Sequence, residues 1–296
     1  MRIATTTSDL GSPSLENLQR FYNAGYRYLD LGIWNGMVMR PDYKEFAHTI
    51  KENADKVGVK FIQSHAPDAG NPLNPDDLEK CVTCAIRTIE FCAALGIPNT
   101  VQHTGAEKYM PKDEFFKRSK IFYEKLIPTM EKTGVEVLTE NGNYAGAGPH
   151  RYGCNSGEEI RAFVETINHP LFNVCWDTGH ANCQGNQYDD LVAIGERLHA
   201  LHVHDNRGND HHSMLYTGSM NMDDVMHGLI DAGYNGYFTY ESLNTIHGPG
   251  FWHAPRKVFE KDKRLINPPA FMYDQLERLE YEIAEYILKA YDVFEE

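Results

Sequence analysis

The chain has 296 residues, 42% of them hydrophobic, which is compatible with one large domain around a sizeable core. Its formal net charge of −14 would repel a polyanion from most of the surface, which argues against nucleic acid as the partner. Because no apolar run approaches the roughly 20 residues of a membrane span and the N-terminus lacks a signal-peptide segment, we expect a cytoplasmic protein without membrane contact.

Short apolar runs alternate with longer amphipathic ones, and the alternation repeats eight times. The predicted strands are residues 3–6, 28–32, 60–65, 100–103, 136–140, 173–177, 200–204 and 237–241. The predicted helices are residues 14–24, 43–57, 76–95, 112–133, 156–168, 188–197, 222–232 and 272–291. Ser14 and Asp76 are candidate N-caps, and glycines follow several of the helices. Eight alternating strand–helix units predict a single-domain (β/α)8 TIM barrel of the α/β class, residues 1–296.

Two stretches need separate interpretation. Residues 244–270 follow the eighth predicted strand and are rich in Gly, Pro and aromatic residues, so we expect an irregular lid or oligomerisation segment, before a closing C-terminal helix. The pair Cys81-x-x-Cys84 is compatible with zinc or redox chemistry. However, it lies inside a long helical pattern without a second pair, so we interpret both cysteines as small core residues.

Residues able to bind a metal or transfer a proton stand at the end of most predicted strands. These residues are His65, His103, Glu140, Asp177, His202 and Glu241, with His180 and His204 close behind. The C-terminal strand ends of a barrel form its active face, so these side chains converge at one mouth. Carboxylates buried there without a cation would be driven towards their neutral forms. The pattern therefore predicts a divalent metal site.

We predict Glu140, Asp177, His202 and Glu241 as the ligands. This oxygen and nitrogen set without thiolate favours Mn²⁺ and also suits Zn²⁺, Co²⁺ or Mg²⁺. His202 and His204 lie two residues apart on a strand and point to the same side. We choose His202 because of its His-x-x-Asp spacing to Asp205. His204 then contacts substrate or a second ion, or is only a histidine at the rim.

These motifs together resemble the xylose-isomerase-like barrel superfamily, which includes the ketose 3-epimerases, hydroxypyruvate isomerase, inosose dehydratase and isomerase, and endonuclease IV. The matching stretches are Ser64-His65-Ala66-Pro67, His103-x-Gly105, Glu140-Asn141, Asp177-Thr178-Gly179-His180, His202-x-x-Asp205-Asn206 and Glu241. The resemblance spans roughly residues 1–245. It implies a homo-oligomer, since dimers and tetramers are frequent in the superfamily.

The resemblance to the sugar isomerases and epimerases implies roles for these residues. It implies that the four predicted ligands bind the metal and that Glu140 and Glu241 also act as catalytic acid and base. The histidine that matches His180 contacts a substrate oxygen, and a basic residue near Arg207 grips substrate hydroxyls. The predicted substrate-binding residues are His65, His103, His180, His204 and Arg207.

Endonuclease IV instead has a three-zinc cluster, and the resemblance maps its nine ligands onto residue types that are all present here. They would be His65, His103, Glu140, Asp177, His180, His202, Asp210, His212 and Glu241. Asp210 and His212 are therefore candidates for an additional metal. The following segment from Met214 to Met220 departs from the Pro-Gly-x-Gly of most members.

The leading hypothesis is a metal-dependent isomerase or epimerase of a ketose-like or polyol-like carbohydrate, acting by proton transfer through a metal-stabilised enediolate. The alternatives are a metal-dependent lyase or dehydratase on a sugar-like substrate, and an endonuclease IV-like phosphodiesterase. A non-catalytic barrel would lack some of the ligands. Candidate apolar walls for a sugar ring are Trp34, Tyr144, Trp176 and Phe251.

Overall fold

The computed structural model describes residues 1–105, 107, 110–142, 154–185, 187–242, 245–246, 257 and 261–296. The strands are β1 Arg2–Thr6, β2 Tyr28–Gly32, β3 Lys60–His65, β4 Asn99–Val101, β5 Glu136–Glu140, β6 Phe172–Asp177, β7 Leu198–His202 and β8 Tyr237–Tyr240. The α-helices are α1 Leu15–Ala24, α2 Asn35–Val38, α3 Tyr43–Val57, α4 Pro75–Leu95, α5 Lys112–Glu124, α6 Ile127–Thr133, α7 Gly157–Ile167, α8 Thr178–Asn182, α9 Tyr188–Ile194, α10 Met222–Asp231 and α11 Ala270–Ala290.

All eight strands are parallel and form one sheet in the order β7-β6-β5-β4-β3-β2-β1-β8. The sheet closes between β7 and β8 through a parallel bridge of Val203 with Tyr240. At this seam, the Val203 N–H donates to the carbonyl of Thr239 at 2.8 Å and the Glu241 N–H donates to the carbonyl of Val203 at 3.0 Å. The predicted single-domain (β/α)8 barrel is confirmed.

The predicted helix over residues 112–133 has the observed bounds but is wrong as one continuous helix, because the structure divides it into α5 and α6 with a break at Lys125 and Leu126. Pro128 lies in the first turn of α6. A proline has no N–H to donate and its ring clashes with the carbonyl four residues earlier, so a continuous helix through this position would be strained. The chain instead starts a second helix there, where the missing donor costs little.

Helix α4 also begins differently from the expectation. Asn74 is its N-cap, and the side chain accepts from the backbone N–H of Asp76 at 3.1 Å. Asp76 lies in the first turn of the helix, so its prediction as the cap is wrong, whereas Ser14 does cap α1. Within α4, Cys81 and Cys84 are buried among apolar neighbours, as expected of core residues.

The hydrophobic core has two layers, one between strands and helices and one inside the barrel. The inner layer consists of Val101, Leu138, Cys175 and Ala200. Strand side chains alternate between the two faces, so a residue two positions further on points into the barrel as well. Those positions are His103, Glu140, Asp177 and His202. The inner layer therefore forms an apolar floor beneath a layer of ionisable side chains at the mouth.

Strand lengths differ slightly from the prediction at the mouth. The fourth strand ends at Val101 and the eighth at Tyr240, so His103 and Glu241 stand just beyond regular strands. The predicted lid over residues 244–270 lies largely outside the described residues, and its role stays a prediction. No helix in the described parts of the chain combines the length and the apolar character needed to cross a membrane.

Candidate metal centre at the barrel mouth

Three acidic side chains and one imidazole converge inside the mouth of the barrel. Glu140 ends β5, Asp177 ends β6, His202 ends β7 and Glu241 follows β8. Each residue offers one ligand atom, and these four atoms all lie within 4.8 Å of one another. Carboxylate oxygens combined with an imidazole nitrogen suit a divalent cation. The structure thus brings together the four predicted ligands, and their binding of a metal stays a prediction.

Both carboxylate oxygens of Glu140 face imidazoles. His202 Nδ1 lies 2.6 Å from Oε1, and His103 Nε2 lies 2.7 Å from Oε2. Only 2% of the Glu140 side chain is exposed. Burial by itself would raise the pKa of this carboxyl, but the two imidazoles outweigh burial and hold the pKa well below its usual value. Glu140 is therefore ionised at neutral pH, as a metal ligand must be.

Asp177 is held in place from both sides. Its backbone N–H donates to Asn141 Oδ1 at 2.6 Å, and Asn141 Nδ2 donates back to the Asp177 carbonyl at 2.9 Å. The carboxylate accepts from the backbone N–H of His180 at 2.7 Å, and His204 Nε2 lies 3.0 Å from Oδ1. Burial would raise the pKa of Asp177, but the charges on His180 and His204 outweigh burial and lower the pKa.

Three histidines at the mouth share one arrangement, in which Nδ1 lies within hydrogen-bonding distance of a backbone carbonyl. These contacts join His65 to Ala66 at 3.0 Å, His180 to Asn141 at 2.9 Å and His212 to Glu241 at 2.9 Å. A carbonyl can only accept, so in each pair Nδ1 carries the proton. When such a ring is neutral, Nε2 has the lone pair and can bind a cation. Metal-binding histidines are typically held in this way.

A second group of potential ligands consists of His65, His103 and Glu140. His65 Nε2 lies 3.2 Å from His103 Nε2, which suits either a shared proton or a common cation. Asp68 approaches the other side of His103, with Oδ1 3.6 Å from Nδ1. Burial lowers the pKa of His103, but the hydrogen bonds to Asp68 and Glu140 outweigh burial and raise the pKa to about 10.

A third group contains His180, His204, Asp210 and His212. Asp210 Oδ2 lies 3.4 Å from His180 Nε2, and its Oδ1 lies 3.3 Å from His212 Nε2. The rings of His204 and His212 stack at 3.8 Å. Burial lowers the pKa of His212, but Asp210 and Glu241 raise it to about 9. Asp210 and His212, the candidates for an additional metal, thus lie beside His180.

Arg207 lies apart from these groups. It is exposed, and its Nε and Nη2 donate to the carbonyl of Thr217 at 3.1 and 3.0 Å. The side chain therefore braces the loop after β7 in this structure, and its contact with a substrate stays a prediction.

The structure also corrects one of the predicted aromatic walls. Trp176 is completely buried in the outer core, and its Nε1 lies 3.2 Å from Gln187 Oε1. Because Cys175 and Asp177 point into the barrel, Trp176 between them must point outward. Trp34 is 45% exposed and remains a candidate. Tyr144 and Phe251 lie outside the described residues.

Two buried residues near the centre, Asp30 and Gln63, were missed by the sequence analysis. Asp30 lies on β2, and its Oδ2 is 3.1 Å from His202 Nε2. Gln63 on β3 donates from Nε2 to the same oxygen at 3.1 Å. The available signal was a charged residue between two leucines in the predicted strand Tyr-Leu-Asp-Leu-Gly. That signal does not reveal which side chain across the barrel Asp30 reaches.

Comparison with known proteins supports the same family. A sequence model of the xylose isomerase-like TIM barrel matches residues 18–266. An uncharacterized protein from Methanocaldococcus jannaschii is 26% identical over 211 residues, which cover 66% of this chain and 68% of that protein. A probable endonuclease 4 from Bacillus subtilis is 25% identical over 186 residues, covering 56% of this chain and 60% of that protein.

Among solved structures, a D-psicose 3-epimerase with D-tagatose from Clostridium cellulolyticum H10 has the same fold. The TM-score is 0.78 at 17% identity, and the match covers 97% of this chain and 99% of the other. The family match extends over most of the chain and includes all the strand ends that carry the ionisable residues. The protein therefore belongs to the xylose isomerase-like TIM barrel family.

Proposed function

We propose that this protein is a divalent-metal-dependent isomerase or epimerase that acts on a sugar-like α-hydroxycarbonyl compound. The observation that carries the proposal is the position of Glu140 and Glu241. They extend from β5 and β8 of the closed barrel, with Asp177 and His202 completing a set of ligand atoms within 4.8 Å. The fold shared with a D-psicose 3-epimerase supports a carbohydrate substrate.

The donor set fits a divalent cation. Glu140 and Asp177 are buried carboxylates with lowered pKa values, and such anions require nearby positive charge. Glu140, Asp177, His202 and Glu241 would hold the ion, with Mn²⁺ favoured and Zn²⁺, Co²⁺ or Mg²⁺ also suited. When bound, such an ion stabilises negative charge on the oxygens of a chelating substrate.

The two glutamates would move the proton. One would take it from the carbon next to the carbonyl, and the other would return a proton to the opposite face in an epimerase. Glu140 is enclosed by His202 and His103, whereas 12% of the Glu241 side chain is exposed and its nearest imidazole nitrogen is 3.4 Å away. Glu241 is therefore freer to approach a substrate carbon. His103, with 39% of its side chain exposed, is placed to contact substrate oxygens.

The test combines metal analysis with solvent isotope exchange. Wild-type protein purified without chelator should contain about one Mn, Co, Zn or Mg ion per chain, and Glu140→Gln and Glu241→Gln should contain less. Incubation with a panel of ketoses in D₂O should place deuterium beside the carbonyl and yield the epimer or isomer. Each variant should lower this rate by about 100-fold or more.

Other outcomes would separate the alternatives. Loss of water from the substrate would support the lyase or dehydratase hypothesis instead. Absence of bound metal, even after incubation with each ion, would refute the metal-dependent mechanism.

Sedimentation equilibrium would test the expected dimer or tetramer, since a single-chain mass would contradict it.

A second candidate function is metal-dependent phosphodiester hydrolysis. The specific observation in its favour is that the nine residues matched to endonuclease IV fall into three neighbouring groups. The relatedness to a probable endonuclease 4 points the same way. About three zinc ions per chain would favour this function, and about one ion would favour the epimerase. The net charge of −14 weighs against a DNA substrate.

A further inference from the structure

Asp30 is a buried carboxylate behind His202, on the side of the imidazole away from Glu140. We propose that Asp30 is the positioning residue that determines the tautomer of His202, and so makes Nδ1 the metal-binding nitrogen. The inference rests on the proposed metal site, which it extends to a residue that does not touch the ion or the substrate.

The contact crosses the interior of the barrel. Asp30 extends from β2, and its side chain is only 1% exposed. Its Oδ2 lies 3.1 Å from Nε2 of His202, which is itself completely buried on β7. The opposite nitrogen of the ring, Nδ1, lies 2.6 Å from Glu140 Oε1 and 3.4 Å from Glu241 Oε2. The imidazole therefore lies between Asp30 and the predicted ligands Glu140 and Glu241.

The position is costly for a carboxylate. Asp30 Oδ1 is buried and has no hydrogen-bond partner within the described part of the chain. Leu29 and Leu31 on either side pack in the outer core, so Asp30 between them points into the interior of the barrel. A buried anion with one unsatisfied oxygen stabilises the fold poorly. Its contact with His202 gives it a role other than stability.

The chemistry of imidazole links this contact to metal binding. A neutral ring has one N–H and one lone pair, and only the nitrogen with the lone pair can bind a cation. Both ring nitrogens of His202 face carboxylates, which can only accept, so in the described contacts each nitrogen carries a proton. A cation held by Glu140 and Glu241 would replace the proton on Nδ1, and Asp30 would retain the proton on Nε2. A carboxylate behind a metal-binding histidine has this effect in other proteins.

Gln63 competes with Asp30 for Nε2 of His202, and this competition makes the proposed role of Asp30 testable. Its Nε2 lies 2.9 Å from His202 Nε2 as well as 3.1 Å from Asp30 Oδ2. If the amide donated to the ring, the proton would move to Nδ1 and would point at Glu140, where it would block the ion. Asp30 therefore selects one tautomer, and Gln63 would support the other once the negative charge is removed.

The experiment uses Asp30→Asn, which preserves the shape but removes the charge. Affinity for Zn²⁺ and Mn²⁺ would be measured by competition with a chelating dye, and we expect it to fall by about 10- to 100-fold. Asp190→Asn is the matched control, because that partly buried carboxylate bonds only the Gly157 N–H at 2.7 Å in the described structure. Its metal affinity should change by less than about twofold.

A second readout observes the tautomer directly. Long-range ¹H–¹⁵N spectra of the zinc-loaded wild type, assigned with His202→Gln, should show His202 protonated at Nε2, and Asp30→Asn should show a mixture or the other tautomer. Wild-type protein that binds no metal would refute the metal site itself. Metal-loaded wild type protonated at Nδ1, or Asp30→Asn with unchanged affinity and tautomer, would overturn the role of Asp30. Even if the variant does not fold, the wild-type spectrum shows which nitrogen of His202 carries the proton, and protonation at Nδ1 would overturn the role of Asp30.

Discussion

At the scale of single residues, close contacts at the mouth of the barrel leave no room for a side chain at one glycine. Gly179 is the clearest case, since a Cβ there would lie 1.8 Å from Cε1 of His204. That ring cannot retreat easily, because it stacks on His212 and its Nε2 lies 3.0 Å from Asp177. Glycine at this position therefore permits the His204 imidazole to lie between Asp177 and His212.

We predict that Gly179→Ala disturbs both stability and metal content. The added methyl must displace the His204 ring, which should cost about 1 to 3 kcal/mol and weaken the hold on Asp177. Urea unfolding and elemental analysis would measure the two effects. Gly134→Ala is the control, because an L-residue at its φ of +74° should cost about 1 to 2 kcal/mol in open space far from the mouth. Equal metal content in the two variants would contradict the prediction.

At the scale of elements, capping residues and glycines that lie outside the candidate metal site determine where the helices begin and end. Helix α4 illustrates this, since it starts at the Asn74 cap with Pro75 in its first turn and ends at Gly96. Gly96 has a φ of +76°, in the left-handed region that favours glycine. Helix α4 ends just before the start of β4, and His103 lies two residues beyond the end of that strand.

We expect Asn74→Ala to destabilise the protein by about 1 kcal/mol, because the first turn of α4 loses its side-chain acceptor. Asp76→Ala should cost less, about 0.3 to 1 kcal/mol, since Asp76 contributes only through the helix dipole. Urea unfolding curves of the two variants would give the comparison, with metal content unchanged in both. A larger loss in Asp76→Ala would identify Asp76 as the true cap.

At the scale of the whole molecule, two charge distributions oppose each other. The chain carries a net charge of −14, while at least six histidines gather with the carboxylates at one end of the barrel. The net charge therefore repels polyanions at long range, whereas the donors gathered at the mouth would suit the small cation and the small neutral substrate of the proposed function. The net charge would therefore discriminate between ligands by charge at long range, and the mouth would discriminate by size at contact distance.

This contrast predicts weak binding of DNA. Duplex DNA with an abasic site should bind with a Kd above about 100 µM near physiological salt, because few phosphates can be neutralised by this surface. Fluorescence anisotropy over a salt series would measure it, alongside a cleavage assay with added zinc. Micromolar binding together with strand cleavage would contradict the prediction and establish the phosphodiesterase alternative.

Much of the fold and part of the site were predictable from the sequence. Short apolar runs alternating with amphipathic runs, together with the glycines that follow helices, predicted eight βα units, because both signals are local in the sequence. The ligand candidates Glu140, Asp177 and His202 were predictable because strand ends of a barrel meet at one face. The division between α5 and α6 was missed although Pro128 is a local signal, since amphipathic periodicity continues across it.

What the sequence by itself determined was therefore the class of fold and the chemical types at its mouth. Only the tertiary structure decided which atoms meet: Asp30 with His202, His204 with Gly179, and Arg207 with the carbonyl of Thr217. The physical reason is that periodicity assigns a side chain to a face, whereas its partner across the barrel depends on strand register and closure. Those are set by all eight strands together.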